Sequence, residues 1–157
     1  MNARLFPVML ASMLLAAPVA AQDLEVTRSG QAPSRLGPTE TFTGHVVIAP
    51  LFSAQPSTRA SGMTVTFAPG ARTFWHSHPA GQTLVVTHGR GAVQNWGGAK
   101  RDIRPGDVVW IPPGVKHWHG GTPTTGMTHI AVLEPVGDKV VDWMEPVTDA
   151  QYSVNPL

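Results

Sequence analysis

The sequence predicts an all-β fold, a sandwich or a barrel of roughly ten short strands. Three observations carry that expectation. Short segments either alternate apolar with polar residues or are continuously apolar. Sixteen glycines and fifteen prolines fall between them as turn punctuation and form no repeat. Tight-turn pairs such as Pro69-Gly70, Gly97-Gly98 and Pro105-Gly106 close successive segments. Spacing alone does not choose between sandwich and barrel.

Residues 1–21, MNARLFPVMLASMLLAAPVAA, have the form of a secretory signal: Arg4, an apolar run from Leu5 to Ala17, and Val19-Ala20-Ala21 as a small-residue cleavage site. The apolar run is short for a bilayer span and is flanked by Pro7 and Pro18. The expectation is therefore cleavage after Ala21, export to the periplasm, and no membrane attachment afterwards. Residues 22–40 are polar, contain Pro33, Gly37 and Pro38, and read as an extended arm. Residues 41–157 form one domain. Within it, Phe42 to Leu51 is a strand, and Gln55 to Ser61 is a loop. Met63-Thr-Val-Thr-Phe67 alternates strictly, which places Met63, Val65 and Phe67 on one face. Gly91 to Trp96 and Lys100 to Arg104 make a hairpin about Gly97-Gly98. Val108 to Ile111 is an apolar strand, Lys116 to Gly120 follows the Pro-Pro-Gly corner, and Met127 to Glu134 is a long strand. Val147 to Tyr152 reads as one helical turn.

The chain has no cysteine, so disulfides and thiolate ligands are excluded. Its formal net charge is +1 and no Lys/Arg cluster occurs, which argues against nucleic acid as a partner.

The stretch Thr73 to Gly89, TFWHSHPAGQTLVVTHG, organises the rest. It reads as a strand, a corner at Pro79-Ala80-Gly81, and a second strand opened by Gln82. His76 and His78 are two apart, so both imidazoles face one side of an extended strand. With a polar side chain on the adjoining strand they can form three corners of a metal site, since imidazole suits several divalent transition metals. A second cluster, Gly106-Asp-Val-Val-Trp-Ile-Pro-Pro-Gly-Val-Lys-His117, ends a strand and a corner on another histidine.

The spacing Gly70, His76-Ser77-His78, Gln82, Gly89 resembles the first cupin motif, and Gly106, Pro112, Gly114, His117 resembles the start of the second. Two positions depart from the usual pattern: Gln82 stands where cupins carry Glu, and Gly121 where they carry Asn. The resemblance implies a double-stranded β-helix, the jelly-roll barrel, with a metal inside and a homodimer or homotetramer as the assembly. Phe42-Thr-Gly-His-Val, Pro69 to His76, Gly114 to Gly120, Pro123 to His129 and Val141 to Met144 narrow it. They are similar to small bacterial cupins that include manganese-dependent hydroxynitrile lyases, which interconvert R-cyanohydrins with an aldehyde and hydrogen cyanide. By position, that resemblance implies His76, His78, Gln82 and His117 as ligands. Manganese follows from the resemblance only; iron, zinc or nickel suits the same donors. Thr73, His119 and His129 match pocket positions, with His129 as general base. Met63 and Leu133 shape the substrate pocket, and Val65 shares the face of Met63. His45 and His88 match no ligand position and are expected to be structural or exposed.

No acidic residue lies between Glu40 and Asp102. A divalent cation held by those four neutral groups would keep its full charge, which sharpens its Lewis acidity. The expected function is a carbon–carbon lyase acting on a small molecule. Two rivals stand beside it: a cupin dioxygenase, and a non-catalytic metal or small-molecule binding protein.

Overall fold

The structure is a computed structural model, and it describes residues 23–153. The expected export signal of residues 1–21 lies outside the described residues. Among the described residues thirteen strands and one short helix follow in chain order, and every strand pairing is antiparallel. The first sheet runs β1 (Arg35–Leu36), β3 (Val46–Phe52), β4 (Ser61–Phe67), β12 (Met127–Leu133), β7 (Gln82–Gly89), β10 (Val108–Ile111). The second runs β13 (Asp142–Trp143), β6 (His76–Ser77), β11 (His117–Gly121), β5 (Arg72–Thr73), β2 (Phe42–Thr43). A hairpin of β8 (Gly91–Asn95) and β9 (Arg101–Ile103) joins it through the β8–β11 pairing.

The core lies between the sheets. Val46, Ile48, Val65, Phe67, Leu84, Val86 and Ala131 of the first sheet meet Phe42, Val93 and Ile103 of the second in one buried cluster. Period-two alternation places them there. In β12, Met127, His129, Ala131 and Leu133 are buried and the residues between are half-buried. On the outer side of the second sheet a smaller cluster of Trp75, Ala92, Trp118, Val147 and Tyr152 is covered by the C-terminal strap, residues 140–153. Trp118 therefore points away from its neighbours His117 and His119, as the two-residue period demands.

Three expectations are refined. Phe42 to Leu51 is not one strand. Gly44, at φ 79°, turns the chain so that β2 joins one sheet and β3 the other; a Cβ there would sit 3.0 Å from Ala71. The strand beginning at Thr73 is interrupted at Phe74 and Trp75, whose backbone N–H groups donate to Thr41 and Glu145 instead of to β11. The apolar run Val108 to Ile111 is an edge strand, with Val108 65% and Trp110 58% exposed. The arm is exposed from 23 to 36 and joins β3 at Arg35 and Leu36 and through the Gly37 N–H, which donates to Val46 O at 2.9 Å. The expected terminal turn is α1 (Asp149–Ser153).

Candidate metal centre and its cavity

His76 on β6 and His117 on β11 lie directly opposite in register. Gln82 opens β7, paired with Ile111 on one side and Leu133 on the other. The corner that aims Gln82 depends on Gly81, at φ 80°, where a Cβ would meet the Ile111 carbonyl at 2.7 Å. His76, His78, Gln82 and His117 are all buried. The four expected ligands come from β6, the turn just after it, β7 and β11, and converge: the His76 and His117 rings are 4.2 Å apart and Gln82 Oε1 lies 3.1 Å from His117 Nε2.

The backbone fixes how they converge. His76 Nδ1–H donates to Phe74 O at 2.9 Å, His78 Nδ1–H to Val140 O at 2.7 Å, and His117 Nδ1–H to Val115 O at 2.8 Å. A carbonyl can only accept, so each Nδ1 carries the proton and each Nε2 keeps its lone pair. Such backbone anchoring orients histidine ligands in metal sites. Two buried atoms are left over in a way a cation would resolve. His78 Nε2 has no partner. His117 Nε2, already a lone pair, faces Gln82 Oε1 at 3.1 Å, another acceptor. A shared cation, or a turned-over amide, removes that opposition. The donor set thus fits a divalent metal ion.

His76, His117 and His119 bring ring nitrogens within 4.8 Å of one another. His78 lies just outside that triplet, its ring 5.1 Å from His76 and 5.7 Å from His117. Protonation chemistry separates the two histidines better than distance. His78 has the same carbonyl-anchored Nδ1 as His76 and His117, whereas Nδ1 of His119 faces His129 Nε2 at 3.1 Å. His119 is engaged with a second imidazole, and its Nε2 and Nδ1 of His129 are both buried without partners. Thr73 accepts the His119 backbone N–H at 3.2 Å, which leaves its hydroxyl proton free. The structure so places His119 between the ligand cluster and His129.

Burial holds these imidazoles neutral. Desolvation lowers His76 and His119 well below their ordinary range, with further lowering from neighbouring histidines. It takes His117 down to about 4 against the hydrogen bond to Val115 O, and His129 to about 4 as well. His78 is lowered less, because Val140 O and the charge of Asp142 oppose its desolvation. Asp142 was invisible as a local acid: it reaches β6 through β13, opposite Ser77, and is itself paired with Lys139.

A cavity of about 410 Å³ opens onto the cluster. Met63, Val65, Leu133, Thr73, His119 and His129 all line it, together with every expected ligand except His117. Among the described residues no acidic side chain lines it. His45 and His88 are exposed and do not line it. Sequence reasoning missed Trp143, whose ring lies 4.8 Å from that of His76, and the Val140 carbonyl. Both belong to the C-terminal strap. Val140 is 62 positions from His78, so no local pattern could announce the contact.

Known proteins resemble this chain in sequence and in fold. The cupin domain family matches residues 63–133. An (R)-mandelonitrile lyase from Granulicella tundricola is 57% identical over 129 residues, covering 82% of this chain and 98% of the relative. The crystal structure of a cupin-like protein from Thermotoga maritima superposes with a TM-score of 0.71 at 38% identity, covering 82% of this chain and 94% of that one. A predicted oxalate decarboxylase from the same organism shares the fold, with a TM-score of 0.63 at 22% identity, covering 71% of this chain and 100% of that one.

Proposed function

The chain belongs to the cupin family, and from that premise we infer that it is a metal-dependent lyase that cleaves or forms R-cyanohydrins. The observation that carries the reading is the convergence of three imidazoles with preset Nε2 lone pairs and one carboxamide beside a second, hydrogen-bonded histidine pair. His76, His78, Gln82 and His117 hold the cation. When bound, a divalent metal supplies Lewis acidity toward the substrate oxygen, undiminished by any carboxylate in the ligand set. Manganese remains our choice on resemblance, and iron, zinc and nickel are the alternatives.

His119 and His129 manage the proton. In the neutral pair that leaves His119 Nε2 open, His119 Nδ1–H donates to His129 Nε2 and His129 keeps its own proton on Nδ1; both outer nitrogens are buried without a hydrogen-bond partner. A proton taken from the substrate hydroxyl at His119 Nε2 lets the His119 Nδ1 proton move toward His129. The pair acts as one general base, His129 serving through His119. Both are neutral at pH 7, as a base must be. Thr73 Oγ1 lies on the same wall and can hydrogen-bond the substrate oxygen; the proton held by the histidine pair returns to the departing cyanide to give hydrogen cyanide. The apolar walls at Met63, Val65 and Leu133 exclude water from the substrate's carbon skeleton. As it acts in the cell, the protein is proposed to be exported to the periplasm and to form a homodimer or homotetramer.

The test is cyanide release from racemic and R-mandelonitrile by protein loaded separately with each of the four metals. R-selective release that disappears on chelation supports the lyase. Oxygen uptake without cyanide release assigns a dioxygenase, and bound metal with no turnover assigns a binding protein.

A further inference from the structure

Trp143 is 40% exposed, whereas Trp75 and Trp118 of the outer cluster are 2% and 0% exposed. It is not there to fill a core. Its indole packs on the His76 imidazole at 4.8 Å and 36°, and on Phe42 at 5.5 Å and 60°. Trp143 and Phe42 both line the cavity, and Ile48, Met63 and Leu133 line it from the other sheet with aliphatic surface. The indole is fixed in place by the two-residue β13, where Trp143 pairs with His76, and by backbone bonds from Met144 N–H to Trp75 O and from Trp75 N–H to Glu145 O. A large flat π surface is therefore held rigidly beside a metal ligand, with part of its area uncovered.

We propose that Trp143, backed by Phe42, is the specificity-determining residue of the cavity, selecting substrates whose carbonyl or carbinol carbon bears an aryl ring. The oxygen end of the substrate reaches the histidines. Its ring lies between the Trp143–Phe42 wall and the aliphatic wall. Aromatic pairs favour offset or tilted contact beyond simple burial, and the exposed indole offers that contact. The inference rests on reading the cavity as a substrate site. It adds a residue and a discrimination that the ligand set does not specify.

The experiment compares wild type, Trp143→Phe and Trp143→Leu, each loaded with manganese. Binding of benzaldehyde and of cyclohexanecarbaldehyde, nearly equal in size, is measured by titration calorimetry, and cleavage of the two corresponding cyanohydrins is measured in parallel. Leucine keeps His76 covered but removes the π face. Trp143→Leu is expected to weaken benzaldehyde roughly three- to tenfold and cyclohexanecarbaldehyde less than about twofold. Trp143→Phe is expected to recover most of the difference, with metal content unchanged in both variants. Equal losses for the two aldehydes, or loss of metal in either variant, would make Trp143 a cover for His76 and overturn the proposal. If wild type cleaves neither cyanohydrin, the lyase reading fails. The aldehyde binding then still decides the role of Trp143.

Discussion

At the scale of single residues, the identity of the fourth ligand sets the charge of the site. Gln82 is neutral, and Asp142, the acid whose charge reaches His78, is tied to Lys139. Gln82→Glu would add a formal negative charge directly against the cation, raising affinity for it and lowering its Lewis acidity. The expected result is equal or higher metal content with cyanide release reduced about 10²-fold or more, of the order seen when one transition-state charge partner is lost. Elemental analysis beside the cyanide assay reads both; undiminished release by the glutamate variant would remove charge from the explanation. The His119–His129 contact makes a second statement. His119→Ala and His129→Ala should each lower turnover by roughly 10²–10⁴. The double variant should fall little below the worse single one, because the two act as a unit. Additive losses in that cycle, with metal retained, would mean two independent roles.

Elements explain both what could be read and what could not. Wherever a ligand or pocket residue sits on a strand with period-two alternation, the sequence disclosed its side: His76 with His78, His117 with His119 against Trp118, and Met63 and Val65 on one face. The turn glycines disclosed where strands end. What stayed hidden arrives by long-range pairing. The strap supplies the Val140 carbonyl to His78 and the Trp143 ring to His76, and nothing within reach along the chain signals either contact. The break at Gly44 was equally hidden, because an apolar run does not say which sheet each half will join. Arg72 and Tyr152 hold the strap down. The buried Arg72 guanidinium donates to Val147 O at 2.9 Å and to Asp149 at 2.7 Å, and packs on the Tyr152 ring at 4.5 Å. Tyr152 O–H donates to Gly121 O at 2.7 Å. Tyr152→Phe leaves that buried carbonyl without its partner and should cost about 1–2 kcal/mol in urea unfolding. Arg72→Met should cost about 1–3 kcal/mol, since it strips the buried Val147 O of its charged donor, whereas the exposed Asp149 is taken up by solvent. Because the strap carries the support of two ligands, both variants should also bind manganese more weakly, with Arg72→Met the more affected. Unfolding losses without any change in metal affinity would show the strap to be uncoupled from the site.

For the whole molecule, the cluster makes the fold depend on pH with a definite sign. Five imidazoles are buried in one half of the barrel and all are lowered below the ordinary histidine value of 6.5. The unfolded chain takes up protons near pH 6.5 while the folded chain still refuses them, and His117 and His129 resist down to about 4. Stability from this source is complete above pH 6.5 and is lost as pH falls toward 4, each refusing histidine contributing roughly 1.4 kcal/mol per pH unit across that window. A domain of this size has on the order of 5–15 kcal/mol in total, so a few such groups suffice to unfold it before the native histidines titrate. The metal-free protein should therefore show urea stability that is flat from pH 7 to 8 and falls steeply below 6.5, with acid unfolding between roughly pH 4 and 5.5. Saturating manganese should raise the plateau and steepen the fall, because the cation binds only the folded, deprotonated set. His129→Leu, which removes one buried titrating group and leaves the four ligands in place, should flatten the acid limb by about one histidine's share. A stability profile indifferent to pH between 7 and 5 would show that these imidazoles reach solvent, and with them the cavity end on which the chemistry depends.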